Sequence, residues 1–265
     1  MCRHLVYLGP PVPLAALLFD PPHGLVHQSW APREMRGGGT VNADGFGVAW
    51  YPAPATATRA DPDPHAAARS GEPVRYRRAI PIWADAALPA LAASTRSGAV
   101  MAAVRSATVG TPVVETAAAP FTDGRWLFSH NGVVPGWPDS VVGLADRLPT
   151  RDLLTLDAPT DAALLWALVR QGLRAGASPE RAVAETVRAV ADAAPGARLN
   201  LLLTDGRTAV ASAAGHALSV RAGAGSALIC SEPLDDDPAW VGVPDGHLVV
   251  ATIDDVHLRA IGELV

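Results

Sequence analysis

The chain has 265 residues, enough for one large domain or two small ones. Hydrophobic residues make up 49% of it and charged residues 18%, which marks a globular protein and excludes a disordered one. A formal charge of −5 without a basic stripe argues against a nucleic-acid partner, and no stretch reaches the ~18 consecutive apolar residues of a membrane span. Pro10, Pro11 and Pro13 interrupt the early apolar stretch, so no signal peptide is expected. The two cysteines, Cys2 and Cys230, are too few for a disulfide framework and point to a reduced, cytoplasmic setting.

Residues 3–9 carry the alternation and β-branched content of a strand. Leu14 to Phe19 reads as a short helix stopped by Pro21-Pro22, and Gly37-Gly38-Gly39 as a flexible run without dinucleotide-fingerprint spacing. Asn42 to Gly45 reads as a turn and Phe46 to Tyr51 as a strand, followed by an exposed loop over 52–73. Tyr76 to Ile80 suggests an edge strand, Asp85 to Ala93 a helix, and 99–105 a small-residue strand ending in Arg105. Beyond the turn at Asp123-Gly124, a strand from Trp126 to Ser129 runs into His130-Asn131-Gly132, where Asn-Gly by itself suggests a hairpin turn. Thr160 N-caps a helix with Asp161 in its first turn, and Ser178-Pro179 opens a second that ends near Ala194. From Arg198 on the chain is β-rich, with a hairpin turn at Asp205-Gly206. The order predicts an α+β domain over residues 2–265 with helices packed on sheets.

Removal of Met1 would leave Cys2 with a thiol and a free α-amine on one residue. An α-amine has a pKa of about 7.7–8.0, so part of it is unprotonated near neutral pH and can act as general base on the adjacent thiol. A thiolate that attacks an amide needs donors for the tetrahedral oxyanion. Asn131 offers a side-chain amide for this and Gly132 a backbone N–H. Arginine grips a substrate carboxylate bidentately, which suits Arg105, and a carboxylate grips an ammonium, which suits Asp161. A carboxylate and an ammonium near a distant acyl carbon describe a γ-glutamyl group. Taken singly, Arg105 reads equally as a surface arginine and Asp161 as a helix-start residue.

The motifs Met1-Cys2-Arg3-His4, Asn42 to Gly47, Arg105 to Thr108, Ser129 to Gly132 and Thr160-Asp161 together resemble the class II, N-terminal-cysteine glutamine amidotransferase family. The resemblance implies a four-layer αββα sandwich of the N-terminal-nucleophile hydrolase type. It implies Cys2 as nucleophile, Asn131 and Gly132 as oxyanion hole, and Arg105 and Asp161 as the glutamyl clamp, with His130 beside them. No second domain to receive ammonia is expected, which favours plain hydrolysis of a γ-glutamyl amide over amide transfer, and neither cofactor nor metal is expected. Within the family the motifs look most like a member whose leaving group carries a trimethylammonium, for which Trp30 and other tryptophans are the candidates, core packing being the alternative for any single one. The alternatives are a glutaminase or glutathione-degrading subunit working with a partner chain, and a catalytically silent binding module.

Overall fold

The computed structural model describes residues 2–36, 41–52 and 71–264. The glycine run and most of the 52–73 loop lie outside them. The strands are β1 (Arg3–Pro13), β2 (Phe46–Trp50), β3 (Val74–Arg78), β4 (Arg96–Val104), β5 (Phe121–Asp123), β6 (Trp126–Val133), β7 (Arg198–Thr204), β8 (Ala209–Ala213), β9 (Ser219–Gly223), β10 (Ser226–Cys230), β11 (Val241–Gly242), β12 (His247–Ala251) and β13 (Val256–Ala260). The helices are α1 (Ala15–Leu18), α2 (Leu25–Gln28), α3 (Leu88–Ser94), α4 (Val142–Ala145), α5 (Thr150–Leu154), α6 (Asp161–Arg174) and α7 (Pro179–Ala193). Among the described residues the strands form two antiparallel sheets, ordered β11-β9-β10-β1-β4-β2-β3 and β13-β12-β8-β7-β6-β5.

Side-chain alternation along each strand builds four layers. In β1, Leu5 and Tyr7 face outward onto α1 and α2, against Leu14, Leu17, Leu18 and Leu25. Val6 and Leu8 face inward and meet Leu202, Ala211 and Val249 of the second sheet. Leu201 and Leu203 of β7 face the other way, onto α6 and α7. The result is helix, sheet, sheet, helix, with small residues such as Ala99, Ala209 and Ala213 letting the sheets approach. Both long helices begin as their capping residues dictate: Thr160 Oγ1 accepts the Ala163 N–H at 3.3 Å and Ser178 Oγ accepts that of Arg181 at 3.3 Å.

Several element boundaries differ from the sequence reading. β1 runs on to Pro13, which its place in the sheet tolerates because its pairing with β4 shifts register between Leu8 and Val12. α3 begins at Leu88; Asp85 stands before it and accepts the Ala87 and Leu88 N–H groups at 2.9 and 3.0 Å. The short α2, α4 and α5 lack the length for a periodic signal. Asn131-Gly132 is not a hairpin turn. It lies inside β6, with Asn131 opposite Asn200 and Gly132 opposite Leu199.

The second helical layer is keyed by Trp166 of α6, which stacks on Phe128 of β6 at 5.3 Å between ring centroids and 19° between planes. Trp166→Ala empties a fully buried site and is expected to cost about 3–5 kcal/mol. Urea unfolding monitored by far-UV circular dichroism checks this, and a loss under about 1 kcal/mol would show that the helical layer does not depend on this contact.

Candidate active site

Cys2 stands one residue ahead of β1, the strand at the middle of the seven-stranded sheet. Its half-buried Sγ lies 3.8 Å from the carbonyl oxygen of Ser106, at the outer reach of a thiol hydrogen bond. It opens into a pocket whose lining includes Phe46, Arg105, His130, Gly132 and Asp161. Five of the residues singled out from the sequence (Cys2, Arg105, His130, Gly132 and Asp161) thus border one cavity, although they come from four separate stretches of chain.

Each is held by its own local structure. Arg105 follows the end of β4, and its guanidinium donates to the Pro112 carbonyl at 2.9 Å and to Thr111 Oγ1 at 3.1 Å, which leaves further N–H groups uncommitted. The Asn42–Gly45 turn braces this segment from behind. Arg105 N–H donates to Gly45 O at 2.8 Å, Asp44 N–H to Arg105 O at 2.9 Å, and Ala107 N–H to Asp44 Oδ2 at 2.7 Å. Asp161 opens α6, where the positive end of the helix dipole favours a carboxylate. Its Oδ2 accepts the Val134 N–H at 3.2 Å and its Oδ1 that of Ala162 at 2.8 Å.

Gly132 is required by close approach rather than by a turn. A Cβ there would strike the Arg198 carbonyl and His130 Nε2. His130 is fixed by a 3.0 Å contact between Nε2 and that same Arg198 carbonyl. Asn131, between these two, is buried and turned toward the interior, so it is not part of the lining. Its Nδ2 donates to Ser231 Oγ at 3.3 Å, while Oδ1 is buried without a partner among the described residues. Trp30 also lies outside the lining. It is 43% exposed and belongs to an aromatic trio, with its ring 5.5 Å from His27 and 5.8 Å from Trp83.

Beneath Cys2 the space between the sheets turns polar. His4 is fully buried, with Nδ1 3.1 Å from Ser129 Oγ. Burial, reinforced by His130, His216 and Arg3, lowers its pKa to about 3. His216 is likewise lowered to about 3, by burial and then by Arg198 and Arg3. The sequence reading missed this cluster, as it missed the pairing of Arg3 with Glu232 at 2.7 Å. A charged residue heading an otherwise apolar strand was the one signal on offer for that pair. Among the described residues no group of three or more His, Cys, Asp or Glu could hold a metal ion, and no helix is long and apolar enough to cross a membrane.

The family model of class-II glutamine amidotransferases matches residues 13–224. The chain belongs to the class-II glutamine amidotransferases. Among members of that family it is 39% identical to the gamma-glutamyl-hercynylcysteine sulfoxide hydrolase of Mycolicibacterium smegmatis over 258 residues, 97% of this chain and 98% of the relative. It is 38% identical to the protein of the same name from Mycobacterium tuberculosis over 262 residues, 98% of this chain and 97% of that one. A solved glutamine aminotransferase class-II domain protein from Silicibacter pomeroyi superposes with a TM-score of 0.66 at 24% identity, covering 98% of this chain and 99% of its own, and shows the shared fold.

For this amidotransferase the two buried histidines set the acid response of stability. The unfolded chain takes up a proton at each below about pH 6.5, whereas the folded chain holds both neutral down to about 3. The unfolded state therefore binds more protons across that window, and folding stability falls as pH falls from 6.5 toward 3. The slope approaches about 1.4 kcal/mol per pH unit for each histidine. Urea unfolding at pH 7 and pH 5, where carboxylates contribute little, is expected to show the loss, and His4→Gln to reduce it. An unchanged slope in His4→Gln would mean that His4 is protonated in the folded state.

Proposed function

We propose that this chain hydrolyses the γ-glutamyl amide of γ-glutamyl-hercynylcysteine sulfoxide, releasing glutamate and hercynylcysteine sulfoxide. One observation carries the reading: a single pocket gathers a thiol (Cys2), a guanidinium (Arg105), a backbone glycine (Gly132) and a carboxylate (Asp161). Two near-full-length relatives bearing that substrate in their names support it.

Arg105 holds the substrate α-carboxylate through its uncommitted N–H groups, and Asp161 holds the α-ammonium. Once Met1 has been removed, the Cys2 amine takes the thiol proton and Sγ attacks the γ-carbonyl carbon. The oxyanion is met by the Gly132 N–H, and by Asn131 once its buried amide has turned toward the pocket. Ser231 Oγ already accepts the His4 N–H at 3.0 Å. Turning the Asn131 amide over lets that hydroxyl donate to Oδ1 and frees both Nδ2 hydrogens for the substrate. Collapse of the tetrahedral species breaks the C–N bond, and the protonated amine passes its proton to the leaving nitrogen. Water then cleaves the glutamyl thioester, and the thiol is restored.

The leaving group carries the trimethylammonium of a betaine, which aromatic faces attract. Trp30 directly follows Ser29, whose carbonyl accepts the Asn42 N–H at 2.7 Å at the start of the turn that braces Arg105. On this reading Trp30, with Trp83 beside it, offers the aromatic face for that cation. The enzyme works as one domain over residues 2–265. Both cysteines are unpaired, which fits a reducing, cytoplasmic setting.

Cys2→Ala is expected to abolish glutamate release, and Asn131→Ala to lower kcat about 10²–10³-fold with little change in KM. Continued turnover by Cys2→Ala, or retention of Met1 in the mass of the purified chain, overturns the mechanism. Trp30→Ala is expected to raise KM for the hercynyl conjugate while leaving any turnover of glutamine or glutathione unchanged. Equal effects on all three substrates would remove Trp30 from leaving-group recognition.

A further inference from the structure

Behind the nucleophile lies a charged network that the chemistry above does not use. Arg3 and Glu232 are 2% and 1% exposed and pair at 2.7 Å between Nε and Oε1. The rest of the Arg3 fork is also engaged: Nη1 donates to the Cys2 carbonyl at 3.0 Å and Nη2 to the carbonyl of Glu34. Glu232 Oε2 accepts from His23 Nε2 at 2.7 Å and from the Arg33 N–H at 2.7 Å. Burial by itself would raise the Glu232 carboxyl. The His23 hydrogen bond, the Arg33 amide and Arg3 outweigh it and hold the group below its ordinary value, so it is a carboxylate at neutral pH. His23 Nδ1 in turn lies 2.9 Å from His27 Nδ1, which carries the chain of contacts into α2.

Such a network is poorly explained as a source of stability. Taking two charges out of water offsets most of what their pairing returns, and well-packed apolar residues serve a core at least as well. Its geometry fits another task. The β1–β4 ladder begins with Arg3 opposite Val104, so Cys2 overhangs the sheet by one residue. The Cys2 carbonyl takes its hydrogen bond from Arg3 Nη1 instead of from a neighbouring strand. That bond fixes rotation about the Cys2 Cα–C bond and thereby where the amine and Sγ stand relative to the sheet. Glu232 fixes the fork in turn, and also fixes the 33–34 backbone.

We propose that Arg3 and Glu232 are positioning residues for Cys2, a fork and its anchor that aim the nucleophile and tie the 33–34 segment to it. This rests on the assignment of Cys2 as nucleophile. Three variants separate aim from stability. Arg3→Lys keeps the charge but loses the planar fork, Glu232→Gln keeps the shape but loses the anchor's charge, and Arg3→Gln with Glu232→Gln removes both charges together and leaves none unpaired. Each is measured for kcat and KM on the γ-glutamyl conjugate, for the rate of Cys2 labelling by 6-diazo-5-oxo-norleucine, and for melting temperature.

The expected result is a kcat lower by about 10- to 100-fold in all three, KM within about threefold, and a labelling rate that falls in step. The double variant is expected to melt within a few degrees of the parent. Folded variants whose kcat and labelling stay within about twofold of the parent overturn the proposal, as does full activity in Arg3→Lys, which would make charge alone sufficient. Failure of every variant to fold overturns it too, since the network would then be a folding requirement. If the parent chain neither turns over nor is labelled at Cys2, the nucleophile assignment itself fails.

Discussion

β1 is paired along both of its edges, and the rest of the site is built around that constraint. Leu5 to Leu8 face Cys230 to Ala227 of β10 on one side, and Arg3 to Leu8 face Val104 to Ala99 of β4 on the other. Both faces of the strand are also covered, by the outer helices and by the second sheet. A one-residue slip would exchange its two apolar faces and break two ladders together. The residue at its head therefore adjoins an element held on both edges and both faces, while the other residues bordering the pocket come from loops, strands and a helix start around it.

Those groups are held by backbone contacts from the sheets and helices behind them. Arg105 is clasped by the Asn42–Gly45 turn, which is joined through Asn42 to the end of α2. Asp161 is fixed by the start of α6 and by the Val134 amide just past β6. The pocket is thus bordered by elements of both sheets. This favours preorganisation, because little of the site has to be ordered when the substrate binds.

Polar residues replace apolar ones in the inter-sheet layer close to Cys2. Asn200, opposite Asn131, is fully engaged: Oδ1 accepts the Ala214 and His216 N–H groups at 2.9 and 3.2 Å, and Nδ2 donates to the His216 and Ala217 carbonyls at 3.2 and 3.1 Å. By contrast His4 Nε2, Asn131 Oδ1 and His216 Nε2 are buried without partners among the described residues. Burying such atoms costs free energy. They gather near Cys2, in a buried polar interior where electrostatic contacts are stronger than in water.

The sequence by itself determined the parts that local chemistry dictates. Cys2 ahead of an apolar strand, Thr160 and Ser178 as helix caps, the Asp205-Gly206 hairpin and the α+β order were all legible because capping, turns and alternation act over a few residues. At Asn131-Gly132 the same locality offered a turn as the plain alternative to a strand end. Asn-Gly favours a turn, but pairing with β7 draws both residues into a strand, where glycine is needed because the Arg198 carbonyl and His130 leave no room for a Cβ. Trp30 was a candidate on residue type alone, and only the fold set its ring beside His27 and Trp83. Tertiary structure alone decided that Arg3 meets Glu232, 229 positions away, and that His4 stays neutral in the core. Partners so far apart leave no periodic trace in a single chain. They come together because sheet register places β1 beside β10, and burial then settles the charge each side chain can carry.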